Sequence, residues 1–222
     1  MGANFDINLL VSELKDLGTN ALYFNRYKPY IPITKDISNI TKFVMNHKYL
    51  YDRDNKKTTF NYDLFTNYST IILEGCTGTG KTTAVATHIN KYMQQHKSKK
   101  CLTITTKTTL SDQHVISFKN ICMKHYKHFK GNLYDADSLC ICLNSLYKLD
   151  GFSNDEFDDY VVYIDEIKPF LELTHNKTLD SRMKELISIL VKFIKKANKV
   201  IVSDAMIDDN VFEFLLSLST RG

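Results

Sequence analysis

Ile71-Ile72-Leu73-Glu74-Gly75-Cys76-Thr77-Gly78-Thr79-Gly80-Lys81-Thr82-Thr83 is an apolar, β-branched run that breaks into a glycine-spaced loop and closes on Lys-Thr-Thr. The pattern GxxxxGK[ST], behind a strand and ahead of a helix, is that of a phosphate-binding loop. Successive backbone N–H groups must curl around phosphate oxygens in dihedrals that a Cβ obstructs, and Gly75, Gly78 and Gly80 supply that freedom. A helix opening near Lys81 adds unpaired N–H groups and the positive end of its dipole. In this reading Gly75, Cys76, Thr77, Gly78, Thr79, Gly80, Lys81, Thr82 and Thr83 hold ATP, with Lys81 on the β- and γ-phosphates and the Thr82 hydroxyl on Mg²⁺.

Outward from the loop, short β-branched runs alternate with helical stretches, which predicts an α/β domain with a doubly wound, mostly parallel sheet. Strands are expected at Thr70 to Glu74, Cys101 to Thr105, Ser138 to Leu143, Tyr160 to Ile164 and Lys199 to Ser203. Val85, Ile89, Tyr92 and Met93 repeat at helical spacing, as do Met183, Leu186, Ile187, Leu190 and Ile194 after an N-cap at Asp180. A last helix starts near Asp208 or Asp209 and turns Val211, Phe212, Leu215 and Leu216 inward. Residues 1–69 differ in composition, being rich in Tyr, Phe, Asn and Lys and holding Pro29 and Pro32. They read as an aromatic-rich N-terminal extension on the domain's edge, with helices near Ile7 to Leu17 and Asp36 to His47, ahead of a nucleotide-binding unit at 70–222.

Val161-Val162-Tyr163-Ile164-Asp165-Glu166 is an apolar strand ending in two acids, the place where a parallel sheet presents ligand groups. Asp165 is the expected second protein ligand to Mg²⁺, beside Thr82. Glu166 is the group that polarises an attacking water, and Lys81, Asp165 and Glu166 together form the expected catalytic set. A transfer enzyme brings its own nucleophile and has less need of such an acid, so the pair favours hydrolysis. Two strands between Lys81 and Asp165 fit a RecA-like ATPase lobe.

Composition bounds what this unit can be. The 222 residues suffice for one sizeable core, and 43% hydrophobic with 24% charged residues is ordinary for a globular protein. No apolar run has the length of a bilayer span, and the N-terminus carries neither a secretory core nor a myristoylation signal, so an intracellular protein without a membrane partner is expected. Five cysteines, Cys76, Cys101, Cys122, Cys140 and Cys142, lack paired spacing and are expected as thiols. Cys122, His125 and His128 sit three apart, but two such steps rotate the third residue off the first one's helix face, and a basic helix is expected there rather than a zinc site. The net charge of +4 is unevenly spread: between Lys91 and Lys130 nine lysines and four histidines face one acid, Asp112. Between Asp150 and Glu172 eight acids face Lys168 alone. The basic stretch has the density to neutralise nucleic-acid phosphates.

Five stretches carry a resemblance. The loop GCTGTGKTT resembles helicase motif I, and TITTKTTLSDQ (Thr103 to Gln113) lies where motif Ia follows its strand. ICLNSLYKL (Ile141 to Leu149) is similar to a segment with a Ser-Leu pair, VVYIDEIKPFLELTHN (Val161 to Asn176) to motif II, and VIVSDAMIDDNVFEFLLSL (Val200 to Leu218) to motif III. Over residues 70–218 the chain resembles superfamily 2 helicases, and among them the herpesvirus origin-binding protein family and its relatives in large DNA viruses. The resemblance implies that Thr106, Lys107, Asn144 and Ser145 face the sugar-phosphate track of single-stranded DNA. It also implies that Ser203, Asp204 and Ala205 couple the ATP site to that track.

Motif II reads Asp-Glu-Ile-Lys, which departs from the better-known helicase subfamilies. No arginine-finger motif surrounds Arg26, Arg53, Arg182 or Arg221, and such a finger contributes about 10³ to 10⁵ in rate. The expectation is the first motor lobe of an ATP-dependent DNA helicase, weak or inactive until a second RecA-like lobe of the same polypeptide closes on the nucleotide. The resemblance further implies viral DNA replication, with replication proteins as partners, in a viral factory or nucleus. Two other readings compete: a small P-loop phosphotransferase such as a nucleotide kinase, which needs an arginine-rich lid, and an origin-DNA-binding module that uses ATP only as a switch.

Overall fold

A computed structural model describes residues 21–25, 41–44, 50–52, 57–58, 60–151, 157–175, 181–209, 211 and 214. Among these, eight strands form one sheet: β1 (Ala21–Asn25), β2 (Thr41–Val44), β5 (Thr70–Glu74), β6 (Lys100–Thr105), β7 (Lys124–His125), β8 (Ser138–Cys142), β9 (Tyr160–Asp165) and β10 (Lys199–Asp204). Their order is β2-β1-β5-β10-β9-β6-β8-β7, and each neighbouring pair runs parallel. A separate antiparallel hairpin, β3 (Tyr51–Asp52) with β4 (Lys57–Thr58), precedes the phosphate loop in sequence. The described helices are α1 (Tyr62–Asn67), α2 (Lys81–Gln95), α3 (Thr108–Ser117), α4 (Lys168–His175) and α5 (Ser181–Lys196).

The strands read as apolar runs because the sheet is covered on both faces. Alternate residues go to opposite sides. Ile72, Leu102, Ile104, Val162, Ile164, Val200 and Val202 meet Leu186, Ile187, Leu190, Phe193 and Ile194 of α5 in one apolar cluster. Ile71, Leu73, Cys101, Val161, Tyr163 and Ile201 meet Val85, Ile89, Tyr92 and Met93 of α2 in the other. Parallel strands with helices on both faces are the doubly wound architecture the alternation predicts, and the five expected strands are all present. The sheet's apolar interior therefore hands every strand's last residue to one common edge.

Two expectations are revised and a third is met. Thr41–Val44 lies in a strand, not in a helix over Asp36 to His47, and with Ala21–Asn25 it extends the sheet beyond the phosphate-loop strand. The expected basic helix around Cys122, His125 and His128 is absent: Cys122 stands at φ 55 after a single 3-10 turn, and Lys124–His125 is a short strand on β8. Pairing with β8 buries His125, so the sheet edge overrides the local charge pattern. The last helix does begin where expected, with Asp208 Oδ1 accepting the Val211 N–H at 3.0 Å and Val211 and Phe214 buried. Ile7 to Leu17, Asp180, Phe212, Leu215 and Leu216 lie outside the described residues.

Candidate nucleotide site and its carboxylate

The site gathers at the carboxyl ends of β5, β10, β9, β6 and β8, which the parallel sheet places on one edge. Register aligns them: Glu74 opposes Asp204, Ser203 opposes Asp165, Asp165 opposes Thr105, and Thr105 opposes Cys142.

Gly78 and Gly80 hold φ of +80° and +82°, the left-handed region that glycine enters without steric cost. A Cβ on Gly78 would meet open space, whereas one on Gly80 would stand 2.9 Å from the Tyr51 Cβ. The β3 hairpin therefore lies directly on the loop, and the Leu50 N–H donates to the Thr79 carbonyl at 2.8 Å. Helix α2 begins at Lys81 with Gly80 as N-cap and no side chain capping it, which leaves its first N–H groups directed at the loop. The Thr79 hydroxyl is buried without a hydrogen-bond partner. Lys81 Nζ donates to the Gly75 carbonyl and, at 3.2 Å, to that of Cys76. Burial lowers the Lys81 pKa, against the pull of Asp165, Asp204 and Glu166. A half-buried ammonium, a free helix end and an orphaned hydroxyl on a glycine cradle fit the phosphates of ATP.

Asp165 ends β9 with its side chain about one-twentieth exposed. Thr82 Oγ1 donates to its Oδ2 at 3.1 Å, His114 Nε2 lies 3.0 Å from the same oxygen, and Ser203 Oγ donates to Oδ1 at 2.5 Å. Burial raises the Asp165 pKa, but the donations from His114, Ser203 and Thr82 outweigh it and hold the carboxyl below its ordinary value. Because Ser203 spends its hydrogen on Asp165, the Tyr163 hydroxyl donates to Ser203, 2.8 Å away, and a chain Tyr163→Ser203→Asp165 follows. Burial pushes the Tyr163 phenol well above its usual value. Thr82 and Asp165 offer hard oxygen donors in contact, and among the described residues no group of three or more His, Cys, Asp or Glu is arranged to hold a metal ion. That set fits Mg²⁺, which takes one or two protein oxygens and completes its shell with phosphate and water.

Glu166 turns sharply: its φ of +59° is unusual for a non-glycine residue, and its N–H donates to the Ser203 carbonyl at 2.8 Å. Its Oε2 accepts from Thr106 Oγ1 at 3.4 Å, so the acid after β9 meets the loop after β6. Asp204 caps the next loop, accepting from the Lys168 N–H at 2.8 Å and the Met206 N–H at 3.1 Å. Burial raises its pKa, against those donations. The Asp204 carbonyl accepts the Gly75 N–H at 3.1 Å, and Ala205 is exposed beside it.

The remaining predicted residues sit on neighbouring strand ends. Thr106 and the exposed Lys107 follow β6, and Asn144 and Ser145 lie in a 3-10 stretch, Leu143–Leu149, that follows β8. Cys142 Sγ donates to the Thr106 carbonyl at 3.5 Å, joining the two loops. Asn144 is exposed, while Ser145 Oγ donates to the Tyr126 hydroxyl at 3.1 Å. Lys148 and Lys127 stand 5.4 and 5.9 Å from the Tyr126 ring centre, which brings the basic stretch beside Ser145. Sequence reasoning missed His114. It lies on α3, 51 positions before its partner, inside a stretch whose lysines point to a solvated surface, and no local signal marks it.

Comparison with known proteins gives the family and the fold. The family described as "Type III restriction enzyme, res subunit" matches residues 37–204. A protein of Acanthamoeba polyphaga mimivirus named "Putative replication origin-binding protein" is 34% identical over 144 residues, which cover 61% of this chain and 18% of that protein. A second mimivirus protein, "Uncharacterized putative helicase R8", is 30% identical over 146 residues, 61% of this chain and 13% of its own length. The matched stretch thus spans less than a fifth of either relative. Among solved structures, "DEAD-box helicase Mss116 bound to ssRNA and UDP-BeF" superposes with a TM-score of 0.53 at 16% identity, over 68% of this chain and 35% of that one. That likeness is one of fold.

Proposed function

We infer the function from a fixed premise: this chain belongs to the type III restriction enzyme, res subunit family and is a RecA-like lobe of a superfamily 2 helicase. The reading is that of a motor lobe in the replication of a large DNA virus, coupling ATP hydrolysis to movement along single-stranded DNA. The observation that carries it is the Thr82–Asp165 contact at the rim, with Glu166 turned toward Thr106.

In this reading the loop from Gly75 to Thr83 binds the triphosphate, with Lys81 opposing the charge of its β- and γ-phosphates. Thr82 and Asp165 would hold Mg²⁺, whose charge would further offset that of the phosphates. Glu166 orients the attacking water and takes its proton. Thr106, Lys107, Asn144 and Ser145 contact the strand, and Thr106 links that contact to Glu166. Ser203, Asp204 and Ala205 form a second link, because Ser203 holds Asp165 while Asp204 holds both Gly75 and the start of α4. A second RecA-like lobe of a longer polypeptide and other replication proteins are the proposed partners.

Two variants of the 222-residue chain test the nucleotide site. Lys81→Ala is expected to weaken binding of a fluorescent ATP analogue by at least about tenfold, the loss of one charge-assisted phosphate contact. Glu166→Gln is expected to bind it normally. In the longer protein, hydrolysis should rise with single-stranded DNA and vanish in Glu166→Gln. Unchanged affinity in the lysine variant, or turnover indifferent to every nucleic acid offered, would overturn the motor reading.

A further inference from the structure

The residue left over from the motifs is His114. Its ring is about 1% exposed and lies parallel to the Tyr163 ring, at 3° and 5.2 Å between centres. Phe118 closes a second side at 5.8 Å. Nε2 meets Asp165 Oδ2 at 3.0 Å, and Nδ1 is buried with no partner. An ionised carboxylate only accepts, so Nε2 carries the hydrogen.

We propose that His114 is a positioning residue for the metal-binding carboxylate, holding Asp165 Oδ2 in place from the helix that follows the strand-facing loop. The inference rests on the reading of Asp165 as a Mg²⁺ ligand. Thr82 and His114 donate to the same oxygen, and Thr82 is itself needed as a ligand. Apart from Thr82, whose hydroxyl would keep its hydrogen if a lone pair served a metal, Asp165 has two protein donors, Ser203 on Oδ1 and His114 on Oδ2. These come from different elements, β10 and α3, so the carboxylate is gripped across the sheet rather than from one side. The α3 grip has a second consequence. Lys107 adjoins the helix start, and its carbonyl accepts from both Thr105 Oγ1 (3.1 Å) and the Ser111 N–H (3.2 Å). Displacing Thr106 and Lys107 therefore moves the segment that carries His114, giving a route from strand to carboxylate separate from that of Ser203.

The test measures how much Mg²⁺ the 222-residue chain needs for half-maximal binding of a fluorescent ATP analogue, together with affinity for the same analogue in EDTA. His114→Phe keeps a ring against Tyr163 but has no donor. Its Mg²⁺ requirement is expected to rise about tenfold, as for loss of an outer-shell partner, with EDTA affinity within about twofold of native. His114→Gln, whose amide nitrogen reaches where Nε2 sat, is expected to return to within about threefold. Should the phenylalanine variant not fold, His114→Asn, an amide too short to reach Asp165, takes its place. The inference is overturned if the donor-lacking variant matches native Mg²⁺ dependence, or if His114→Gln is as impaired as that variant. Asp165→Asn separates the two readings. If it loses Mg²⁺ dependence while His114→Phe keeps it, the His114 inference alone falls; if the native chain binds equally in Mg²⁺ and EDTA, both fall.

Discussion

At the scale of single residues, the two left-handed glycines of the phosphate loop separate two physical costs. Gly78→Ala meets no neighbour, so it should cost only the left-handed penalty, about 1–2 kcal/mol. Gly80→Ala adds a Cβ 2.9 Å from the Tyr51 Cβ and 3.2 Å from its backbone nitrogen, neither of which can rotate away. It should therefore destabilise more than Gly78→Ala in urea unfolding, and should also release the β3 hairpin from the loop. Equal losses would mean that the hairpin contact carries no energy. The pair also shows where sequence stops being informative. The GxxxxGK[ST] spacing announces Gly80 and Lys81, because backbone geometry around phosphate demands them, while Gly78 stands at one of its free positions. It says nothing of Tyr51 leaning on Gly80, or of His114 reaching Asp165, because both contacts join residues that no local pattern links.

At the scale of elements, α1 and α2 are joined by a ring cluster of Phe60, Tyr62, Phe65, His88 and Tyr92. His88 Nε2–H donates to the Phe60 carbonyl at 2.6 Å, while Lys91 covers the Tyr62 ring at 3.8 Å. Burial lowers the His88 pKa, Lys91 adds to the effect, and the bond to Phe60 only partly opposes them. A folded-state value below the unfolded one, about 6.5, means the unfolded chain binds the proton more readily. The neutral ring's contribution is present above that pH and is lost as the pH falls from there toward the folded value. The Tm should accordingly drop between pH 7.5 and 5.5, and less steeply in His88→Gln, which keeps a donor but does not titrate. Buried His125, whose pKa is also lowered by burial, leaves a residual slope. If the two Tm profiles run parallel, His88 is not the group responsible. Element identity was legible wherever apolar residues ran long: β5, β9 and β10 are continuous apolar strands, and α2 and α5 show clean helical spacing. It failed at β2 and β7. Ile37, Ile40, Phe43 and Val44 mimic a helical stripe, and Lys124–His125 is too short and too charged to signal a strand. Both owe their form to hydrogen bonds offered by a neighbouring strand, a tertiary effect that overrides local preference.

At the scale of the molecule, part of the basic charge is spatially ordered: Lys127 and Lys148 stand by Tyr126, whose hydroxyl accepts from Ser145, at the far side of the sheet from β1 and β2. If this wall lines the strand track, single-stranded DNA affinity should fall with salt, and removing Lys127 and Lys148 together should reduce the log–log slope by about 1.4, roughly 0.7 per phosphate. An unchanged slope would place the DNA elsewhere. The doubly wound class, and the carboxyl edge on which Asp165 stands, were readable in advance, since alternating strands and helices dictate both. The sheet's true width was not. Ala21–Asn25 pairs with every residue of Thr70–Glu74, so a version trimmed to begin at Thr70, where the regular pattern starts, would strip the flank of the strand that carries the phosphate loop. That raw flank is a template for self-association. Such a trimmed protein should collect in inclusion bodies, whereas one that retains residues 21–44 should stay in the supernatant, which makes the upstream segment a requirement for laboratory production.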